Sequence, residues 1–204
     1  MNAPVFQEHK RDSFHDYFEM TRSTRDILAE LDYRLDFQEL SFPQTVSVDP
    51  KTVDRLKNFY RRLAPKIALH SETAKRESVI APVLHEVVLQ TEAQLNIEYP
   101  IEVELRLNGS IDYLLTTQKT RLVIEAKKGD LDRGFNQLAA EMIAVDKHET
   151  SRAEGVFYGA VTIGEVWRFA SLDRSRKIVA RDANLYRFPQ DAQDVLGILI
   201  NLLS

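Results

Sequence analysis

Asp112, Glu125 and Lys127 are the residues whose types and spacing suit phosphodiester chemistry, and they lie in two short apolar runs, SIDYLL (110–115) and LVIEAKK (122–128). Side chains alternate along a strand, so Asp112 and Leu114 face one way while Ile111, Tyr113 and Leu115 face the other. In the next strand Val123, Glu125 and Lys127 share a face. One register of the pair brings two carboxylates and an ammonium together at the end of a sheet. Such a group is costly to desolvate unless its members serve each other or a metal. Hard divalent cations prefer carboxylate oxygens, so Mg2+ or Mn2+ between Asp112 and Glu125 would polarise a scissile phosphate and acidify a bound water. Lys127 would orient that water or stabilise charge in the transition state. The competing reading is structural: Asp112 ends a strand, and Glu125 with Lys127 forms a solvated edge pair.

The elements that must position these residues can be read from periodicity. Residues 13–32 carry apolar side chains at helical spacing, including Phe14, Tyr17, Ile27 and Leu31, and SFPQTVSVDP (41–50) interrupts them. Asp49 suits an N-cap and Pro50 a first helical position, opening a helix to about residue 64. A further helix spans about 73–90, with Ile80, Val83, Leu84, Val87 and Val88 on one stripe and a kink or late start at Pro82. After Tyr99-Pro100 the period becomes two, and Asn108-Gly109 suggests a tight hairpin turn before a strand from Ser110 to Thr116. Further strands are expected at 121–127, 155–161, 165–171 and 177–187. A helix should fill 131–147, burying Phe135, Leu138, Met142 and Val145, and another should begin near Asp191. The order predicts an α/β (α+β) fold with a central mixed sheet flanked by helices. The expected division is an N-terminal helical extension over 1–70 and a core over 71–204.

These segments resemble the PD-(D/E)xK, or restriction-endonuclease-like, nuclease superfamily. Ile111-Asp112, a twelve-residue gap and Glu125-Ala126-Lys127 are similar to its motif, and ETAKRESVIAPVLHEV (72–87) looks like its first core helix. With LVIEAKKGDLDRGFNQLAAEM and YGAVTIGEVWRF, the resemblance covers roughly 72–172. It points to a compact branch that includes nuclease-like domains of Crinkler-type effectors and related short bacterial proteins. The resemblance implies a restriction-endonuclease-like core and a Mg2+- or Mn2+-dependent nuclease acting on nucleic acid, DNA first. It places the metal at Glu77, Asp112, Glu125 and Ala126, and adds Gln137 to Asp112, Glu125 and Lys127 as catalytic. Ile111 stands where the motif's proline would be. Glu141 replaces a tyrosine carried four residues after the glutamine in the RecB-like branch.

Composition sets the outer bounds. The 204 residues contain no cysteine, which excludes disulfides and thiolate metal sites, and their five histidines (9, 15, 70, 85 and 148) show no ligand spacing. The formal net charge of −4 argues against phosphate binding by total charge, but its distribution is uneven. Residues 1–50 hold 5 basic and 10 acidic side chains, whereas residues 51–76 hold 8 basic and 2 acidic ones. On the helix opened by Pro50, Lys51, Arg55, Arg62 and Lys66 form one row opposite Val53, Leu56, Tyr60 and Leu63, a candidate surface for nucleic-acid phosphates or simply a solvated face. Neither a leader-like apolar segment nor a run long enough to span a bilayer is evident, so a soluble, cytoplasmic protein without membrane partners is expected. The rival functions are a catalytically inactive nucleic-acid-binding module on the same fold, and an interaction protein forming a homodimer through its N-terminal helices.

Overall fold

A computed structural model describes residues 11–42, 47–148 and 155–204. His9 and part of the 41–50 breaker lie outside the described residues. The element order is α1 (Phe14–Glu19), α2 (Thr24–Glu30), β1 (Arg34–Gln38), α3 (Pro50–Leu63), α4 (Glu72–Lys75), a π-helical turn (Arg76–Ile80) and α5 (Ala81–Leu89). There follow β2 (Gln94–Glu104), β3 (Leu107–Thr116), β4 (Arg121–Ala126), α6 (Leu131–His148), β5 (Val156–Thr162), β6 (Val166–Asp173), β7 (Ile178–Asp182), β8 (Tyr186–Arg187) and α7 (Ala192–Leu202).

The strands form one mixed sheet in the order β1-β7-β6-β5-β4-β3-β2, with β8 paired to β6. One face packs under α3, α5 and α7, through Val53, Leu56, Ile80, Val83 and Leu199 against Leu115, Ile124 and Phe169. The other packs under α1, α2 and α6, through Tyr17, Ile27, Leu138 and Met142 against Leu114, Val123 and Val161. The expected helix-flanked mixed sheet is therefore present, in three layers. The described residues before 71 supply edge strand β1, parallel to β7, and helices to both faces of the sheet.

Local differences from the sequence reading have physical causes. The helix expected over 13–32 is two helices, because Met20 is extended and Ser23 starts a new helix by accepting from the Asp26 amide. Strand β1 was not expected; in RLDFQ only two apolar residues alternate, too short a run to signal a strand. The hairpin turns at Leu105-Arg106 and not at Asn108-Gly109, both of which lie in β3. Asn108 instead donates through Nδ2 to the carbonyls of Asp12 and Leu105, tying the segment before α1 to the turn. Gly109, at φ +144°, lets Phe14 lie on the strand: a Cβ there would stand 2.9 Å from Phe14 Cδ2. Asp49 caps α3 as expected, accepting from Lys51 N at 3.0 Å.

Gly109→Ala should therefore lower stability by about 1–3 kcal/mol, the usual cost of overpacking. For a chain of this size that corresponds to a fall in Tm of about 2–4 °C per kcal/mol. An unchanged melting temperature would show that α1 is not held against β3 through this contact.

Candidate active site

Strands β3 and β4 pair from Thr116↔Arg121 to Tyr113↔Ile124 and then part. Asp112 sits at the parting. Its Oδ2 accepts from the Ala126 amide at 2.9 Å, so a side chain replaces the next rung of the backbone ladder. The partner strand is also irregular here: Glu98 lies in the left-handed region at φ 52°, and the β2–β3 ladder skips the Glu98–Asp112 rung while keeping its register from Ile97↔Tyr113 to Tyr99↔Ile111. Asp112 is thus fixed, half-buried, at the end of the β3–β4 pairing.

On the α6 side stand Glu125 and Lys127. Glu125 is completely buried, and its Oε1 is ion-paired with Lys127 Nζ. Lys127 is 6% exposed; its amide donates to Thr162 O at 2.8 Å and its ammonium lies 5.2 Å from the centre of the Phe18 ring. Burial opposes charge on Lys127, but Glu125, Glu72 and Asp112 together hold its pKa above the usual lysine value. Gly134 lets α6 come down on the lysine stem, since a Cβ there would be 3.0 Å from Lys127 Cγ and 2.8 Å from Val161 Cγ2.

Helix α6 adds two buried polar residues one turn apart. Gln137 donates through Nε2 to Glu141 Oε1 at 2.9 Å, and Glu141 is in hydrogen-bonding contact with Glu125. Two carboxyl groups can share a hydrogen bond only if one keeps its proton. Burial first, then Glu141 and Asp112, pushes Glu125 well above the usual carboxylate range, and burial pushes Glu141 from 4.5 up to about 8. Oxygens still outnumber donors: Gln137 Oε1 has no hydrogen-bond partner among the described residues. Those of Glu125 and Glu141 have only Lys127, Gln137 and the shared proton.

On the opposite side, Arg76 reaches Asp112 Oδ1 and Glu98 Oε1, each at 3.3 Å, and lies over the Tyr113 ring. Burial raises the Asp112 pKa, against the lowering effects of Arg76, the Ala126 amide and Lys127. Glu72 is the acid that this helical segment sends to the site, with Oε2 3.9 Å from Lys127 Nζ. The expectation that Glu77 is carried inward is corrected: Glu77 is exposed. Pro82 has no N–H for the carbonyl four residues back, and the chain answers with a π turn in which the Ala81 amide reaches Arg76 O. The extra residue rotates everything upstream relative to a 3.6-residue reading, so Arg76 and Glu72 replace Glu77 on the inward face.

Asp112, Glu125, Lys127 and Gln137 are thus brought together, and Ala126 joins them through its backbone. Glu141 and Glu72 were missed as site residues. The signal for Glu141 was present, a polar pair at i and i+4 on the buried side of α6. Among the described residues no three His, Cys, Asp or Glu side chains already surround one point closely enough to hold an ion. Arg76 and Lys127 lie between the acids. The donor set nevertheless fits a hard divalent cation: oxygen ligands only, buried, and short of hydrogen-bond donors. Lys51, Arg55, Arg62 and Lys66 are all exposed on α3 and the turn after it, and Arg55 is paired with Glu86 at 2.5 Å. Trp167 is buried, donating to Gly164 O at 3.1 Å. No protein-family model matches the chain, and no curated protein matches it. No helix among the described residues is long and apolar enough to cross a membrane.

The native Glu125–Glu141 pair, both carboxyl groups raised by burial, keeps a proton that the unfolded chain releases above about pH 4.5. The stability gained by holding it is fully present below that pH and is lost as pH rises towards 8, at up to about 1.4 kcal/mol per pH unit. In metal-free buffer, urea midpoints should therefore fall between pH 5.5 and 8, and Glu141→Gln should flatten that fall. Parallel profiles for the two proteins would mean that the Glu125–Glu141 pair does not share a proton.

Proposed function

We propose that the chain is a metal-dependent nuclease of the PD-(D/E)xK type, hydrolysing phosphodiester bonds of nucleic acid, DNA first. The observation that carries this reading is the convergence of Asp112, Glu125 and Lys127 where β3 and β4 part. Asp112 and Glu125, with the Ala126 carbonyl, are the residues that would hold Mg2+ or Mn2+, and Glu72, beside Lys127, is the acid its helical segment offers in place of Glu77. When bound, such an ion supplies Lewis acidity at the phosphate and lowers the pKa of water.

The protein's own groups divide the remaining work. Lys127 is held charged by three carboxylates, so it serves as a donor to developing negative charge and not as a base. The Phe18 ring over its ammonium and α6 over its stem keep bulk water from that side. Gln137 and Glu141 fix Glu125 from behind. Arg76 neutralises Asp112 in the free protein and offers a guanidinium where the sheet end opens to a phosphate.

The alternative, a binding module without turnover, draws on the same ion pairs: Arg76 on Asp112 and Lys127 on Glu125 already balance the acids. Catalysis separates the two. Asp112→Asn and Lys127→Ala should each reduce cleavage of plasmid or single-stranded DNA in Mn2+ by at least about 100-fold, the scale of losing one charge-stabilising group. A calorimetric Mn2+ titration should show binding to wild type that Asp112→Asn weakens. Wild type that neither binds Mn2+ nor cuts would support the binding module.

The α3 row has its own test. If it contacts phosphates, Arg55→Ala/Arg62→Ala should weaken duplex binding for all sequences alike and reduce the slope of log affinity against log salt by about 0.9 per contact. An unchanged slope would make the row a solvated face.

A further inference from the structure

A second basic surface lies on the α6 side of the sheet, next to Lys127. Phe18, which covers that lysine, is followed by Met20–Arg25, and this turn and the start of α2 form one wall of a groove of about 460 Å³. The other wall is the first turn of α6, and the floor is Arg181 and the edge strand β1. The walls are tied together: Thr24 Oγ1 donates to the buried Asn136 Oδ1 at 2.6 Å.

The groove's charge is one-sided. Among the described residues that line it, Arg25, Arg133 and Arg181 stand, with Arg22, against one carboxylate, that of Asp132. That carboxylate is committed twice, to Arg181 and, at 2.9 Å, to Arg168, so two guanidinium groups share one negative charge. Arg133 approaches Asp130 at 3.4 Å, a largely exposed pair that solvent screens, and Asp26 is occupied by Ser23. Beside the arginines stands Phe37, 55% exposed on an edge strand. The Arg181 guanidinium lies 5.4 Å from the centres of both the Phe37 and Phe135 rings, held between one exposed and one buried aromatic. Positive charge beside an exposed aromatic face is the combination that binds unpaired nucleotides, phosphates on the cations and a base on the ring.

The groove also shares a row of the sheet with the acids. Arg168 is opposite Val161, and Val161 is opposite Glu125. Two strand spacings, about 10 Å, separate Arg168 from Glu125 across the sheet.

We infer that this groove binds a single-stranded stretch of the nucleic-acid substrate, with phosphates on Arg25, Arg133 and Arg181 and a base stacked on Phe37. The inference takes the substrate class from the nuclease reading and adds to it the strand form and the path. It is tested with a fluorescein-labelled oligo(dT) 12-mer and a 12-base-pair duplex, measured by anisotropy in EDTA, where no cleavage can intervene.

Arg25→Ala/Arg133→Ala should weaken oligo(dT) binding by at least about tenfold and reduce the salt slope by about 0.7 per lost contact, the value for single strands. Phe37→Ala should weaken it about tenfold with little change in slope. All three side chains are exposed, so melting temperatures should match wild type and separate lost binding from lost folding. Unchanged affinity in both variants, absence of oligo(dT) binding by wild type, or tighter binding of the duplex would each overturn the groove. The nuclease reading fails separately: groove-dependent binding without Mn2+-dependent cleavage would sink the enzyme alone, whereas cleavage with both variants binding normally would sink the groove alone.

Discussion

The buried carboxylate of Glu125 is the constraint around which the rest of the site is arranged. A fully desolvated charge is tolerable only if paired and hydrogen-bonded, and stripping the partner from a buried pair costs about 3–5 kcal/mol. Lys127 is that partner, two residues on and one past the end of β4, where its amide still bonds Thr162 O and its side chain keeps the same face. Its long stem needs room, which the missing side chain at Gly134 provides, and its ammonium needs cover, which Phe18 provides. The glutamate in turn shares a proton with Glu141, which Gln137 steadies. Each of these residues makes sense through the one before it.

Asp112 answers a different demand. Where two strands separate, the backbone amide of Ala126 loses its ladder partner, and an unpaired buried N–H is expensive. One carboxylate oxygen satisfies it and the other faces Arg76, so the aspartate is both a structural plug and a charge between two cationic side chains. Stability and chemistry pull on the same group in opposite directions. The native fold gains from its hydrogen bond to Ala126, while burial raises its pKa and so opposes the charge that a metal ligand needs.

Much of this was legible in the sequence. The alternation in SIDYLL and LVIEAKK placed Asp112, Glu125 and Lys127 together, and the helix-flanked mixed sheet followed from the order of periodic segments. What escaped had local causes that composition does not reveal. Glu77 was placed at the metal by resemblance, and a π turn before Pro82 shifts the helical period by one residue and leaves it exposed. Asn108-Gly109 carries the composition of a turn, but its residues serve a tertiary contact with Asp12 and Phe14. Strand β1 earns its place from pairing with β7 and not from its own pattern. Glu141 was noted as a departure from a family pattern, although its burial beside Gln137 makes it part of the site.

The layering also constrains how a substrate could be held. Helix α3, with its basic row, packs on the face that carries α5 and α7, whereas Lys127, Phe18 and the arginine groove belong to the face under α1 and α6. A nucleic acid gripped by both basic surfaces would have to pass round the end of the sheet, and that end is where Asp112 stands between Arg76 and Lys127. The two surfaces are therefore not interchangeable stretches of positive charge. A duplex lying along α3 reaches the acids only by bending or parting at the sheet end, which costs less for a single strand than for a stiff helix. On the nuclease reading, strand form would thus be tied to the position of the carboxylates, and the end of the sheet, more than either basic face, would be the place where specificity is decided.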